Sequence, residues 1–178
     1  MSLDTLKERL PDYARDIKLN LGSVLTTQGA PGLSEKQIAA LALSTAIASR
    51  NAELTAAIET WATPQLDVAT IAAAKAAAAV MAMNNIYYRF LHLVEKAEYQ
   101  TLPARLRMNV IGNPGIDKLD FELLSLAVSA VNGCGMCITA HEKKLRAGGI
   151  DMEAIQSAVR IASVIHAAAV TLEYQAAA

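Results

Sequence analysis

The stretch of sequence that decides the fold is DKLDFELLSLAVSAVNGCGMCITAHEKKLRAGGID, residues 117–151. Asp117 or Asp120 can cap a helix through FELLSLAVSAV, in which apolar residues recur at helical spacing. An Asn-Gly pair interrupts this helix, a second helix begins near Cys134, and a Gly-Gly pair ends it. The stretch therefore predicts two antiparallel helices joined by a tight turn.

Similar signals continue along the rest of the chain. Ser34, followed by Gln37, forms a capping-box pattern at the start of one helix. No strand-type alternation is long enough to compete with the helical pattern. Predicted helices outside the hairpin cover residues 35–48, residues 52–62, residues 67–96 with Asn84-Asn85 as a candidate break, and the segment from Asp151 through Tyr174.

Composition supports an all-α fold without significant β-sheet. Only 4% of the 178 residues are aromatic, and alanine, the best helix former, dominates the 53% that are hydrophobic. The length suits one domain, so we expect a single all-α domain over residues 1–178.

Charge and hydropathy favour an intracellular protein. A formal net charge of -1 gives no electrostatic reason to expect nucleic acid as a partner. The most apolar stretch, Val68 to Met83, is mostly alanine and contains Lys75, so a buried helix is favoured over a membrane span. The first residues are charged and amphipathic rather than a signal peptide, and cytoplasmic localisation is predicted.

A weak internal repeat relates residues 34–96 to residues 118–178. Asp67 and Asp151 lie in matching contexts 84 positions apart, and small residues match at the same offset across the intervening helices. At this offset Cys134 falls opposite Arg50. One half therefore carries the reactive groups, which is typical of a single site in a duplicated scaffold.

Cys134 and Cys137 form a C-x-x-C motif at a predicted helix start. Residues three apart share a helix face, so the sulfurs can form a disulfide with little backbone movement. The helix N-terminus favours a thiolate, which is the nucleophilic form of cysteine. Redox catalysis is therefore the leading interpretation of the pair.

His141 and Glu122 are the candidate proton carriers beside this pair. His141 follows Cys137 by one helical turn, and imidazole exchanges protons near neutral pH. Glu122 is a charge in an otherwise apolar run and lies level with His141 across the hairpin, each about 14 Å from the turn. It could orient His141, although a first-turn glutamate favoured by the helix dipole is the structural alternative.

A zinc site is the competing interpretation of the same residues. Two cysteines and a histidine supply three ligands, and Glu122 could be a fourth. Structural zinc sites usually take ligands from two separated pairs, and this sequence has no second pair. We therefore predict no metal and no bound cofactor.

At these residues the sequence resembles a known family. The runs LPDYARDIKLNL, RMNVIGNPGI and DFELLSLAVSAVNGCGMCITAHE resemble the AhpD family of alkyl hydroperoxide reductases, in the wider carboxymuconolactone decarboxylase-like group. The resemblance extends over essentially the whole chain. It implies an all-α fold with an internal repeat, a homo-oligomer such as a trimer, and peroxidase activity without heme or flavin.

The resemblance also implies roles and partners. Cys137 would be the peroxidatic cysteine, Cys134 would donate a proton and close the disulfide, and His141 with Glu122 would form the proton relay. The disulfide would be reduced by lipoyl groups of an acyltransferase, ultimately through dihydrolipoamide dehydrogenase, and electrons would pass to the peroxiredoxin AhpC. Met136 departs from the family pattern, which has histidine there, and this puts extra tuning of thiol acidity in doubt.

Two other functions stay open. A redox-sensing or thiol-disulfide adaptor protein would use the same disulfide as a switch, without peroxidase turnover. A decarboxylase of the wider group would not need the cysteine pair.

Overall fold

The computed structural model describes residues 2–176, and within them every regular element is a helix. Short 3-10 turns cover Asp12–Ala14 and Thr63–Gln65. The all-α prediction is confirmed for this part of the chain. The α-helices are α1 (Leu3–Glu8), α2 (Arg15–Val24), α3 (Glu35–Ser49), α4 (Ala52–Ala62), α5 (Val68–Leu93), α6 (Ala97–Gln100), α7 (Asn109–Gly112), α8 (Lys118–Val131), α9 (Gly135–Ala147) and α10 (Met152–Ala176).

Capping side chains determine where the long helices begin. The Ser34 hydroxyl accepts from the Gln37 backbone N–H, and the Gln37 side chain accepts from the Ser34 N–H, which completes the predicted capping box on α3. Asp67 caps α5, and hydrogen bonds from Lys36 and from the Thr70 backbone lower its pKa to about 2. Asp117, rather than the alternative Asp120, caps α8. These ends are specified by the sequence next to them.

The candidate break at Asn84-Asn85 is wrong. α5 continues through both residues as one helix of 26 residues. Asparagine disfavours helix interiors because its side chain competes for nearby backbone groups. Here both asparagines are buried, and the Asn85 amide donates instead to the Ser129 hydroxyl of α8 at 2.8 Å. For Asn85, a tertiary partner therefore removes the competition that would interrupt the helix.

Four helices form the centre of the molecule. α3 and α8 contact each other, and each also packs against α5 and α10. Their shared core combines large buried side chains such as Leu41, Phe121 and Leu126 with many alanines that allow close helix approach. Burying each large aliphatic or aromatic side chain stabilises the fold by about 1.5–3 kcal/mol. The hairpin α8–α9 is thereby fixed to a rigid base.

The order of helices repeats along the chain. α3, α4 and α5 begin at residues 35, 52 and 68, and α8, α9 and α10 begin at residues 118, 135 and 152. The matching starts are thus 83 or 84 residues apart, as expected from the sequence repeat. The assignment of residues 1–178 to one domain stays a prediction.

α5 and α10 are long and apolar enough to cross a membrane by length and composition alone. Core helices of soluble proteins meet the same criterion, and each of these two contributes many buried residues to the shared core.

A test of the fold uses two glycines near α2. A Cβ added at Gly29 would lie 2.1 Å from the Ser23 carbonyl oxygen, so the backbone would have to move. We expect Gly29→Ala to lower the free energy of unfolding by about 1–3 kcal/mol in urea denaturation. Gly22→Ala is the matched control, because nothing lies within 4 Å of its added Cβ. Alanine there should stabilise α2 by up to about 1 kcal/mol. Equal effects of the two substitutions would contradict this account.

Candidate active site

The turn between α8 and α9 places the cysteine pair. Gly133 has a φ of 68°, which suits glycine and lets the chain reverse direction in a short loop. The Cys134 N–H then donates to the Ser129 carbonyl at 3.1 Å, and Cys134 becomes the residue that caps α9. Its sulfur accepts the backbone N–H of Cys137 at 3.3 Å. The predicted start of the second helix at this cysteine is thus observed, with α9 itself beginning one residue later.

Cys134 and Cys137 are joined by a disulfide, with their Cα atoms 5.3 Å apart. Cys134 is fully buried, and Cys137 is 6% exposed. The pair lies within the first turn of α9, so the bond closes inside one short stretch of chain. Both cysteines are therefore largely shielded from solvent.

His141 and Glu122 meet across the hairpin. The His141 Nδ1 lies 2.5 Å from the Glu122 Oε2, and the residues are 7% and 9% exposed. Spacing along the sequence placed them level with each other, and the structure adds that they face each other. A carboxylate on Nδ1 holds the proton there, which leaves Nε2 as the ring nitrogen for proton exchange.

Lys144 is a third member of this cluster. Its Nζ donates to the Glu122 Oε1 at 2.7 Å, so both carboxylate oxygens have partners. In the sequence Lys144 looks like part of a solvated helix face. The signal for its role is its position three residues after His141, which places it on the same face of α9.

The charge state of Glu122 follows from these contacts. Burial raises the pKa of the Glu122 carboxyl, but hydrogen bonds and charge from His141 and Lys144 outweigh burial and hold the pKa below its usual 4.5. Glu122 is therefore an anion at neutral pH. It can stabilise positive charge on His141 when that ring takes up a proton.

Side chains of α5 form hydrogen bonds with the residues at the turn between α8 and α9. Asn85, which donates to Ser129, also accepts from the Asn132 side chain at 2.9 Å. One turn further along α5, Arg89 donates to the Asn132 carbonyl at 2.7 Å. The sequence offered no specific signal for these contacts, because they depend on how α5 is rotated against α8. They fix the residues that lead into Cys134.

The side chains considered as zinc ligands contact one another or Lys144. The two sulfurs are bonded to each other, and Glu122 is engaged by His141 and Lys144. Among residues 2–176 no group of three or more histidine, cysteine, aspartate or glutamate side chains is arranged to hold a metal ion.

Proteins of similar sequence show which family this chain belongs to. Residues 97–178 match the carboxymuconolactone decarboxylase family. The alkyl hydroperoxide reductase AhpD of Rhodospirillum centenum is 57% identical over 177 residues, covering 99% of this chain and 94% of the relative. The chain belongs to the AhpD family.

Other AhpD proteins support the same assignment. The alkyl hydroperoxide reductase AhpD of Gluconacetobacter diazotrophicus is 57% identical, covering 99% of this chain and 96% of the relative. That of Brucella abortus is 54% identical, covering 97% of each. The resemblance seen in the sequence is therefore confirmed over nearly the full length of the AhpD chain.

Lowering the pH should reduce the contribution of Glu122 to the free energy of unfolding. The Glu122 pKa is lower in the folded state than its usual 4.5, so the unfolded chain takes up a proton first as pH falls. Its contribution to stability is complete above the unfolded value and is lost as pH falls through the folded value. We expect the unfolding free energy of the wild type to fall more steeply than that of Glu122→Gln as the pH drops from about 5 to about 3.

Urea denaturation across that range measures the effect. Glu142→Gln is the matched control, because this α9 carboxylate has no hydrogen-bond partner among the described residues. If the unfolding free energies of the wild type and of Glu122→Gln changed in parallel with pH, the contacts of Glu122 would add no stability.

Proposed function

We propose that the protein is a thiol-dependent alkyl hydroperoxide reductase that acts in antioxidant defence. The observation that carries the proposal is the Cys134–Cys137 disulfide at the start of the helix that also bears the buried His141–Glu122 pair. A redox pair and a proton carrier are the two things that thiol reduction of a peroxide requires. The AhpD relatives are named as alkyl hydroperoxide reductases, which points to the same reaction.

The reaction consumes two thiols and one hydroperoxide. The Cys137 thiolate attacks the terminal oxygen of ROOH, the O–O bond breaks, and the alkoxide leaves as ROH after taking a proton. Cys137 is then a sulfenic acid, and the Cys134 thiolate attacks its sulfur to form the disulfide and release water. The sum is one hydroperoxide and two thiols giving one alcohol, one water and one disulfide.

Position and exposure support this division of roles. Cys137 is the more exposed sulfur and lies one helical turn before His141. Cys134 is fully buried, but its partner is only three residues away. Resolution is therefore intramolecular and needs no large movement, which favours a high effective concentration of the second thiol.

His141 and Glu122 form the proposed proton relay. His141 Nε2 supplies the proton that the leaving alkoxide needs, and Glu122 at Nδ1 stabilises the charged ring before transfer. Lys144 holds the second oxygen of Glu122 and keeps the carboxylate anionic. Only side chains take part, so the proposal needs neither a metal nor a bound cofactor.

The proposed reductant is a lipoyl group on an acyltransferase, recharged by dihydrolipoamide dehydrogenase. Burial of both cysteines suits reduction by a narrow dithiol arm. By resemblance, the reduced pair also passes electrons to an AhpC-type peroxiredoxin through a mixed disulfide at Cys137. The proposed compartment is the cytoplasm, where thiols are kept reduced.

The proposed assembly is a homo-oligomer, by resemblance a trimer. Phe90 and Leu93 are exposed on α5 one turn apart, and the ring of Phe90 packs edge-on against Tyr99. An exposed apolar stripe of this kind is typical of a surface that is covered in an assembly.

Cysteine variants test the division of roles. We expect Cys137→Ser to lose steady turnover of cumene hydroperoxide with dihydrolipoamide by more than about 100-fold, because the attacking sulfur is gone. Cys134→Ser should also stop turning over but should react once, giving a Cys137 sulfenic acid that dimedone traps. A Cys137→Ser protein with the wild-type rate would overturn the assignment. Disulfide formation by the wild type without turnover would favour the redox-switch alternative.

Relay variants test the buried pair. We expect His141→Gln to lower kcat/KM by about 100-fold at neutral pH, since general acid catalysis contributes factors of about 100 or more. Glu122→Gln should give a smaller loss and move the pH profile, because it acts through His141. His92→Gln, which removes an exposed histidine of α5, is the control and should keep the wild-type rate. Full activity of Glu122→Gln at every pH would exclude the relay.

A further inference from the structure

A cavity of about 860 Å³ lies beside the turn that carries the cysteines. Its walls are the carboxyl ends of α3 and α8, one face of α5, and His166 of α10. This volume is within the range of about 300–1,000 Å³ that small-molecule sites occupy. The reaction proposed above assigns no role to it.

The floor of the cavity is apolar. Ala78, Ala79 and Ala82 of α5 line it, and their short side chains leave the space open. Ile47, Ile86 and Val131 add larger aliphatic surface around them. A hydrocarbon chain placed here would be removed from water on this side, at a gain of about 0.8 kcal/mol for each fully buried methylene.

The rim of the cavity is basic. Arg50, Lys75 and Arg89 line it together with His166, and none of the described lining residues carries a carboxylate. Lys75 is paired with Glu59 at 2.6 Å, so the two arginines carry the uncompensated charge. Arg50 has no ion-pair partner among residues 2–176, and Arg89 is bound only to the neutral Asn132 carbonyl. Such a concentration of positive charge differs from the chain as a whole, whose formal net charge is -1.

One end of the cavity reaches the cysteine turn. Asn132 lines the cavity and lies two residues before Cys134. Arg89, which also lines the cavity, holds the Asn132 carbonyl in place. A ligand on the apolar floor would therefore lie against the segment that positions the redox pair.

We propose that this cavity binds amphipathic carboxylates, with the hydrocarbon chain on the alanine floor and the carboxylate at Arg50 and Arg89. Guanidinium groups bind carboxylates with paired, charge-assisted hydrogen bonds. The same cavity selects hydroperoxides whose alkyl chain bears a carboxylate as substrates, and this second statement rests on the proposed function.

Calorimetric titration of the oxidised protein with octanoate tests the binding directly. The disulfide prevents turnover, and octan-1-ol serves as the uncharged probe of equal length. We expect one saturable octanoate site per chain and at least tenfold weaker binding of octan-1-ol. Equal affinity for the two probes would overturn the role of the arginines.

Four substitutions, one of them a control, locate the site. Arg50→Gln should weaken octanoate binding about tenfold, and Arg50→Lys should restore only part of it, because an ammonium keeps the charge but cannot make the paired hydrogen bonds. Ala82→Leu should block binding by filling the floor, and this exposed position of α5 tolerates leucine without loss of helix. Lys118→Ala removes a charge at the opposite end of α8 and should bind octanoate like the wild type. Unchanged octanoate affinity in Arg50→Gln and Ala82→Leu would place the ligand elsewhere and refute the proposal.

Light scattering and kinetics separate the remaining outcomes. A change of oligomer mass in Arg50→Gln with unchanged octanoate affinity would identify the cavity as an interface with a second copy and overturn the proposal. With the reduced protein, Arg50→Gln should raise KM for a carboxylate-bearing hydroperoxide several-fold, and Lys118→Ala should leave that KM unchanged. Octanoate binding without any peroxide turnover would refute the proposed function and leave the binding site in place.

Discussion

The buried contact between His141 and Glu122 is the interaction on which the arrangement of the site depends. It joins α9 to α8 at a point where both side chains are buried. A buried carboxylate is costly unless its oxygens are paired, and here the second oxygen is held by Lys144. The hairpin can therefore rotate only at the expense of an unpaired buried charge. That constraint fixes the face of α9 on which the cysteines lie.

The parts of the fold that the sequence predicted are those that depend on near neighbours. The capping box of Ser34 and Gln37, the caps at Asp67 and Asp117, and the start of α9 near Cys134 each follow from a few adjacent residues. The continuity of α5 through Asn84-Asn85 was missed because Ser129, 44 residues from Asn85, decides it.

The candidate site also combines features set by near neighbours with features set by the packing of distant segments. Spacing alone placed Cys134, Cys137 and His141 on one stripe and placed Glu122 level with His141. It could not show that Glu122 faces His141, nor that Lys144 and Arg89 take part, because these contacts depend on the rotation of packed helices. The two similar halves sharpen this contrast. Arg50 stands in the first half where Cys134 stands in the second, and each lies between the first two helices of its half.

The placement of both sulfurs in the first turn of α9 also bears on resistance to oxidative damage. A sulfenic acid that persists can meet a second peroxide and become a sulfinic acid, which is irreversible for most proteins. A partner thiol that had to arrive from another segment would leave time for that loss. With Cα atoms 5.3 Å apart at the start of one helix, the two sulfurs need no refolding to meet. An enzyme built this way would tolerate high peroxide concentrations without self-inactivation.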